Sequence, residues 1–141
     1  MAKVHVKDSF DAPADKVWAV VGDFGGVGKW AGAMVKSCTC EGEGVGAVRT
    51  LVLAQGNPLR ERLVQFDAAD RSFSYAVVGA SDLPVDYYVG SVKVRPDGAN
   101  RSTIDWVGTF DAKGAPEAAA QEIVKGIYTG AISAIKSVLA K

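Results

Sequence analysis

Six stretches between residues 34 and 110 repeat with period two, and one stretch over 115–140 repeats with the period of a helix. That succession leaves few folds open, because side chains two apart share a strand face while those three or four apart share a helix face. The period-two stretches lie near 34–41, 46–54, 59–67, 71–79, 86–95 and 102–110. They are joined by Glu41-Gly42-Glu43-Gly44, Gln55-Gly56-Asn57-Pro58, Asp67-Ala68-Ala69-Asp70, Ala80-Ser81-Asp82-Leu83-Pro84 and Pro96-Asp97-Gly98-Ala99-Asn100. Joins this short, carrying Gly, Pro, Asn or Asp, make consecutive strands antiparallel neighbours.

Ahead of them, Val4, Val6 and Phe10 line one face of a first strand, with Lys3, His5 and Lys7 on the other. Ala12-Pro13-Ala14-Asp15-Lys16 opens a helix, since proline suits a first turn and Asp15 the positive helix end. Val17, Trp18, Val20 and Val21 give it an apolar side. A glycine-rich break over Gly22–Gly28 and a short helical stretch near Lys29-Trp30-Ala31 follow. Pro116 and Glu117 start the last helix. Its apolar stripe is read as Ala119, Ile123, Ile127, Ala131, Ala134, Ile135 and Val138, with Gly126 and Gly130 inside it.

The expected architecture is α+β: a curved seven-stranded antiparallel sheet wrapped around a long C-terminal helix, with two short helices after strand 1, forming one domain over 1–141. A sheet of that size has a large apolar face that needs a cover, and the final helix is the element long enough to supply it. One helix cannot fill a strongly curved sheet everywhere. A cavity of the roughly 300–1,000 Å³ usual for small-molecule sites is therefore expected between them. Small residues at Gly90 and Gly108 enlarge it.

Two ionisable residues fall on apolar faces. Arg49 shares its face with Leu51 and Leu53, and Glu61 shares its face with Leu59 and Leu63. Isolated charges inside an apolar interior cost several kcal/mol, of order 3–5 when a buried pair is broken, so an inward Arg and Glu on successive strands are expected to meet. Arg60 and Arg62 face the other way, toward water. The expected wall is Leu51, Leu53, Tyr75, Val77, Tyr88, Gly90, Val92, Val94, Ile104, Trp106, Gly108 and Phe110 from the strands, with Ile123, Ile127 and Ala131 from the helix.

Composition excludes several classes. Sixteen Lys+Arg balance sixteen Asp+Glu, so no electrostatic case exists for nucleic acid or an anionic membrane. No run approaches the ~20 apolar residues of a membrane span. Residues 1–7 alternate polar with apolar instead of forming the core of a secretory signal, so a cytoplasmic protein is expected. Cys38 and Cys40 would share a strand face, but with His5 the single histidine no four-ligand metal set is expected. Gly42-x-Gly44-x-Gly46 joins two strands and opens no helix, so it is not a phosphate loop. Asp23-Phe24-Gly25 lacks every companion of the kinase signature. No cofactor is expected.

The order and residues of these pieces resemble the START-like, Bet v 1-like superfamily of helix-grip proteins, in its polyketide cyclase/dehydrase-like branch. The matching pieces are Ala12-Pro13-x-x-x-Val17-Trp18, Asp23-Phe24, Gly46-x-x-Arg49, Glu61-Arg62-Leu63, Asp67, Ser74-Tyr75, Tyr88-x-x-x-Val92-x-Val94 and Trp106-x-x-x-Phe110. Met34-Val35-Lys36-Ser37-Cys38 and Glu61-Arg62-Leu63 are similar to segments of the abscisic acid receptors. There the hormone-contacting Glu maps to Glu61 and a cavity Tyr to Tyr88. The lysine that pairs with the hormone maps near Gly32, however, and the gate and latch map to Gln55–Leu59 and Ser81–Pro84 without their motifs. Hormone sensing with a phosphatase partner is therefore not expected. The active-site Arg, Glu and Tyr of lachrymatory-factor synthase look equivalent to Arg49, Glu61 and Tyr88.

Three functions are compatible with this reading. The first is a carrier or sensor holding a small, mainly hydrophobic molecule with one polar group. The second is a cofactor-independent cyclase, dehydratase or isomerase, with Glu61 as acid/base and Arg49 and Tyr88 stabilising an oxyanion. The third is a protein-interaction module of unknown partner with an incidental cavity. Arg49 and Glu61 also read as a purely structural ion pair, satisfied by Tyr88 and water.

Overall fold

The computed structural model describes residues 1–141. Its strands are β1 (Ala2–Phe10), β2 (Val35–Glu41), β3 (Val48–Leu53), β4 (Leu59–Asp67), β5 (Ser72–Val77), β6 (Val85–Pro96) and β7 (Ser102–Ala112). Helix α1 (Ala14–Val21) and two 3₁₀ turns (Phe24–Lys29 and Gly32–Met34) connect β1 to β2, and helix α2 (Glu117–Leu139) ends the chain. All strand pairs are antiparallel, in the order β1-β7-β6-β5-β4-β3-β2. This is the α+β helix-grip architecture, with α2 covering the inner face of the sheet.

Alternation decides which residues point inward. Along β7, Ser102, Ile104, Trp106 and Phe110 are buried, separated by partly exposed residues. Along β4, Leu59, Glu61 and Leu63 are buried while Arg60 and Arg62 are exposed. The strand β6 would not hold this phase by itself. Its pairing with β7 shifts between Asp86 and Val89, where Tyr87 takes a left-handed φ of 55°. That bulge sends Tyr87 into water and turns Tyr88 inward.

The helix departs from its expected stripe. Ala120, Val124, Tyr128, Ala131, Ile132 and Ile135 are buried, whereas Ile123 and Ile127 are 45% and 40% exposed. The reading of Ala119, Ile123 and Ile127 as the inward stripe is thus corrected by one residue, about 100° of helix rotation. Adjacent apolar pairs at 123/124 and 127/128 made both phases periodic. The sheet selected the phase that buries Tyr128. Gly126 faces open space and Gly130 lies against Met34, so neither glycine brings the helix close to the sheet. Across the C-terminal half of α2, Lys136 Nζ reaches Asp8 Oδ2 on β1 at 2.9 Å, and this hydrogen bond holds the Asp8 carboxyl below the usual carboxylate range.

No helix is long and apolar enough to cross a membrane. A continuous cluster of 29 buried hydrophobic residues runs from Ala2 to Ile135. It brings α1, the first 3₁₀ turn, α2 and the inner sheet face into one interior.

Candidate functional site

The β3–β4 register sets Arg49 directly opposite Glu61. Both are buried, at 5% and 6% exposure. Arg49 Nε and Nη2 each lie 2.8 Å from Glu61 Oε1, and Arg49 Nη1 donates to the carbonyl oxygen of Phe24 at 3.0 Å. All three guanidinium nitrogens are engaged. The Phe24 and Tyr75 rings also lie over the guanidinium, with centroids 4.2 and 5.1 Å from its central carbon. The first 3₁₀ turn is thus part of the site, because it aims the Phe24 carbonyl and ring at Arg49. The sequence carried Asp23-Phe24 as a family-like piece and gave no sign of this contact.

A cavity of about 410 Å³ opens beside the pair, between the β3–β4–β5 side of the sheet and the middle of α2. Of its 19 lining residues, all but Arg49, Gln55 and Glu61 are hydrophobic. Leu51, Leu53, Tyr75, Trp106, Ile127 and Ala131 line it as expected from sequence. Val27, Trp30 and Ala31 join them from the segment between α1 and β2, and Phe73 joins from the same face of β5 as Tyr75. The exposed residues Met34, Ala54, Gln55 and Ile127 form its rim. At the same end Asp82 ties two loops together: its Oδ2 accepts from the Asn57 backbone N–H at 2.7 Å and its Oδ1 from Asn57 Nδ2 at 3.0 Å. These two bonds hold the Asp82 carboxyl below its ordinary range.

Nine expected wall residues lie elsewhere. Ile123 faces solvent, and Val77, Tyr88, Gly90, Val92, Val94, Ile104, Gly108 and Phe110 do not border the cavity. The Tyr88 hydroxyl bonds to Tyr128 and, at 3.4 Å, to Tyr75; it bonds to neither member of the ion pair. Trp106 Nε1 donates to the Tyr75 hydroxyl at 3.0 Å. The result is a buried chain Trp106–Tyr75–Tyr88–Tyr128 behind the cavity. Gly90 and Gly108, expected to enlarge the hollow, instead make room for this chain. A Cβ at Gly90 would strike the Tyr75 ring, and one at Gly108 would strike the Tyr128 hydroxyl. Burial, with Glu61 nearby, pushes the Tyr75 phenol up to about 12. Burial also raises Tyr88 and Tyr128 well above the ordinary tyrosine range. All three therefore keep their protons at neutral pH.

Glu61 Oε1 accepts from Arg49 Nε and lies 2.8 Å from Nη2, and no hydrogen bond is made to Oε2. Trp30 Nε1 is the one fully enclosed side-chain polar atom without a partner, and Trp30 also lines the cavity. Cys38 is half-buried and Cys40 exposed, both as free thiols. No group of three His, Cys, Asp or Glu side chains is placed to hold a metal ion.

The sequence pattern of a family described as polyketide cyclase / dehydrase and lipid transport matches residues 1–140. The chain belongs to that family. No curated protein matches it. Among solved structures, a protein from Bacillus thuringiensis is 25% identical with a TM-score of 0.90, covering 99% of this chain and 100% of that one. The protein XoxI from Bacillus cereus is 25% identical with a TM-score of 0.89, covering 98% and 95%. Norcoclaurine synthase from Thalictrum flavum, in complex with dopamine and hydroxybenzaldehyde, is 19% identical with a TM-score of 0.76, covering 99% and 86%. This last likeness is one of fold.

Proposed function

We propose that the protein binds a small, mainly apolar molecule in the cavity beside Arg49 and Glu61. The observation that carries this reading is an apolar hollow of about 410 Å³ with a single buried ion pair in its wall. A hollow kept beside a charged pair suits a ligand that supplies the missing contacts and one polar group. The family description, which includes lipid transport, supports the same reading.

Native mass spectrometry of freshly purified protein tests it. The expected result is an added small-molecule mass that is released on denaturation, or uptake of an added apolar probe in a one-to-one complex. Protein that carries nothing and takes up no apolar compound would remove the proposal.

One observation favours a second, catalytic reading: Glu61 borders the cavity and its Oε2 accepts no hydrogen bond. In that reading Glu61 moves a proton to or from the bound molecule. Arg49 and Tyr88 are less well placed as oxyanion donors, because Arg49 is engaged at every nitrogen and Tyr88 lies behind Tyr75. Turnover of an identified ligand that survives Glu61→Gln would exclude this reading.

A further inference from the structure

The polar point of the cavity is an acceptor, although the residue that first suggests an anion site is an arginine. Arg49 is balanced by Glu61, engaged by Phe24 O and overlaid by two aromatic rings. The second carboxylate oxygen of Glu61 accepts no hydrogen bond. An anion entering this hollow would lose its hydration, meet a pair of zero net charge, and lie against that oxygen. A hydroxyl would lose far less on leaving water and would supply the missing donor in a charge-assisted hydrogen bond.

We infer that the cavity selects an apolar molecule bearing a hydroxyl over the same molecule bearing a carboxylate, with Glu61 Oε2 as the selecting atom. This rests on the proposal that the cavity binds a small molecule, and it assigns that ligand its polar group.

Equilibrium dialysis at pH 7 with 2-naphthol, 2-naphthoate and naphthalene separates the two claims. 2-Naphthol is expected to bind about tenfold more tightly than either of the others, the scale of one hydrogen bond to a charged acceptor. Naphthoate binding as tightly as naphthol would overturn the inference, since Arg49 would then be free to take an anion. Naphthalene binding as tightly as naphthol would overturn it too, since Glu61 would not be sensed. In both cases the binding proposal itself survives. If none of the three binds, the inference is overturned, while the binding proposal is decided separately by native mass spectrometry.

The variant Glu61→Gln gives an independent readout. It removes the counter-charge of Arg49, so the order is expected to reverse, with naphthoate now ahead of naphthol. An unchanged order in folded Glu61→Gln would overturn the assignment to Glu61. If that variant does not fold, the wild-type series decides.

Discussion

The two halves of this interior handle polar atoms in opposite ways. Under β5, β6 and β7 the tyrosine chain is closed: each hydroxyl has a partner, and Gly90 and Gly108 are hollowed out to receive the rings and hydroxyls. Beside β3 and β4 the ion pair forms through one carboxylate oxygen, the other accepts no hydrogen bond, and both residues border the hollow. The first half is a packed wall whose polar groups serve the fold. The second is a surface turned inward, with the same pattern of apolar cover around a small polar spot that a ligand site shows.

The largest expected effect breaks the ion pair. Arg49→Ala leaves Glu61 buried and uncompensated and should cost about 3–5 kcal/mol. Replacing both residues with apolar ones, Arg49→Met with Glu61→Leu, should recover most of that loss. Urea unfolding of the three proteins checks this. A double variant as unstable as the single would mean that the Phe24 carbonyl and ring contacts, and not the charge pair, hold this half together.

Next is the tyrosine half. A phenol whose folded pKa is raised favours the folded state fully below the ordinary value of 10, and that advantage is lost as pH rises toward the folded value. For Tyr75, raised to about 12, stability should fall by roughly 2–3 kcal/mol between pH 10 and pH 12. Tyr88 and Tyr128 act in the same direction. Unfolding curves in that window, read beside tyrosinate absorbance, should show both changes together. A flat stability profile would show that these hydroxyls ionise without disturbing the wall.

The smallest effects give the sharpest contrast, because one operation is applied to each half. Gly108→Ala puts a Cβ against the Tyr128 hydroxyl and 3.3 Å from Tyr88, and should cost about 1–3 kcal/mol. Ala131→Leu enlarges a residue that borders the hollow, and should change stability by less than about 1 kcal/mol while reducing uptake of an apolar probe. Equal costs at the two positions would mean that the hollow is as closely packed as the wall. Thermal unfolding and probe titration of both variants decide it.

Much of this was legible in the chain itself. Strand alternation placed Arg49 with Leu51 and Glu61 with Leu59 and Leu63, because a side chain's face on a strand depends on parity alone. Glycine, proline and acidic turns fixed the antiparallel order. Parity does not say which helix face meets the sheet. With apolar residues adjacent at 123/124 and 127/128, the outcome depended on where the sheet had room for Tyr128. Nor could it show that Gly90 and Gly108 are filled by tyrosines, that the bulge at Tyr87 separates Tyr87 from Tyr88, or that the Phe24 carbonyl accepts from Arg49.

The sequence by itself determined the α+β order of elements and the inward course of one cation and one anion, since both follow from local periodicity. The tertiary structure decided that these two meet at one oxygen, that three tyrosines seal the opposite wall, and that the space left between has an unmet acceptor in its side. Those outcomes depend on distances between segments far apart in the chain, and a periodic pattern carries no such distances.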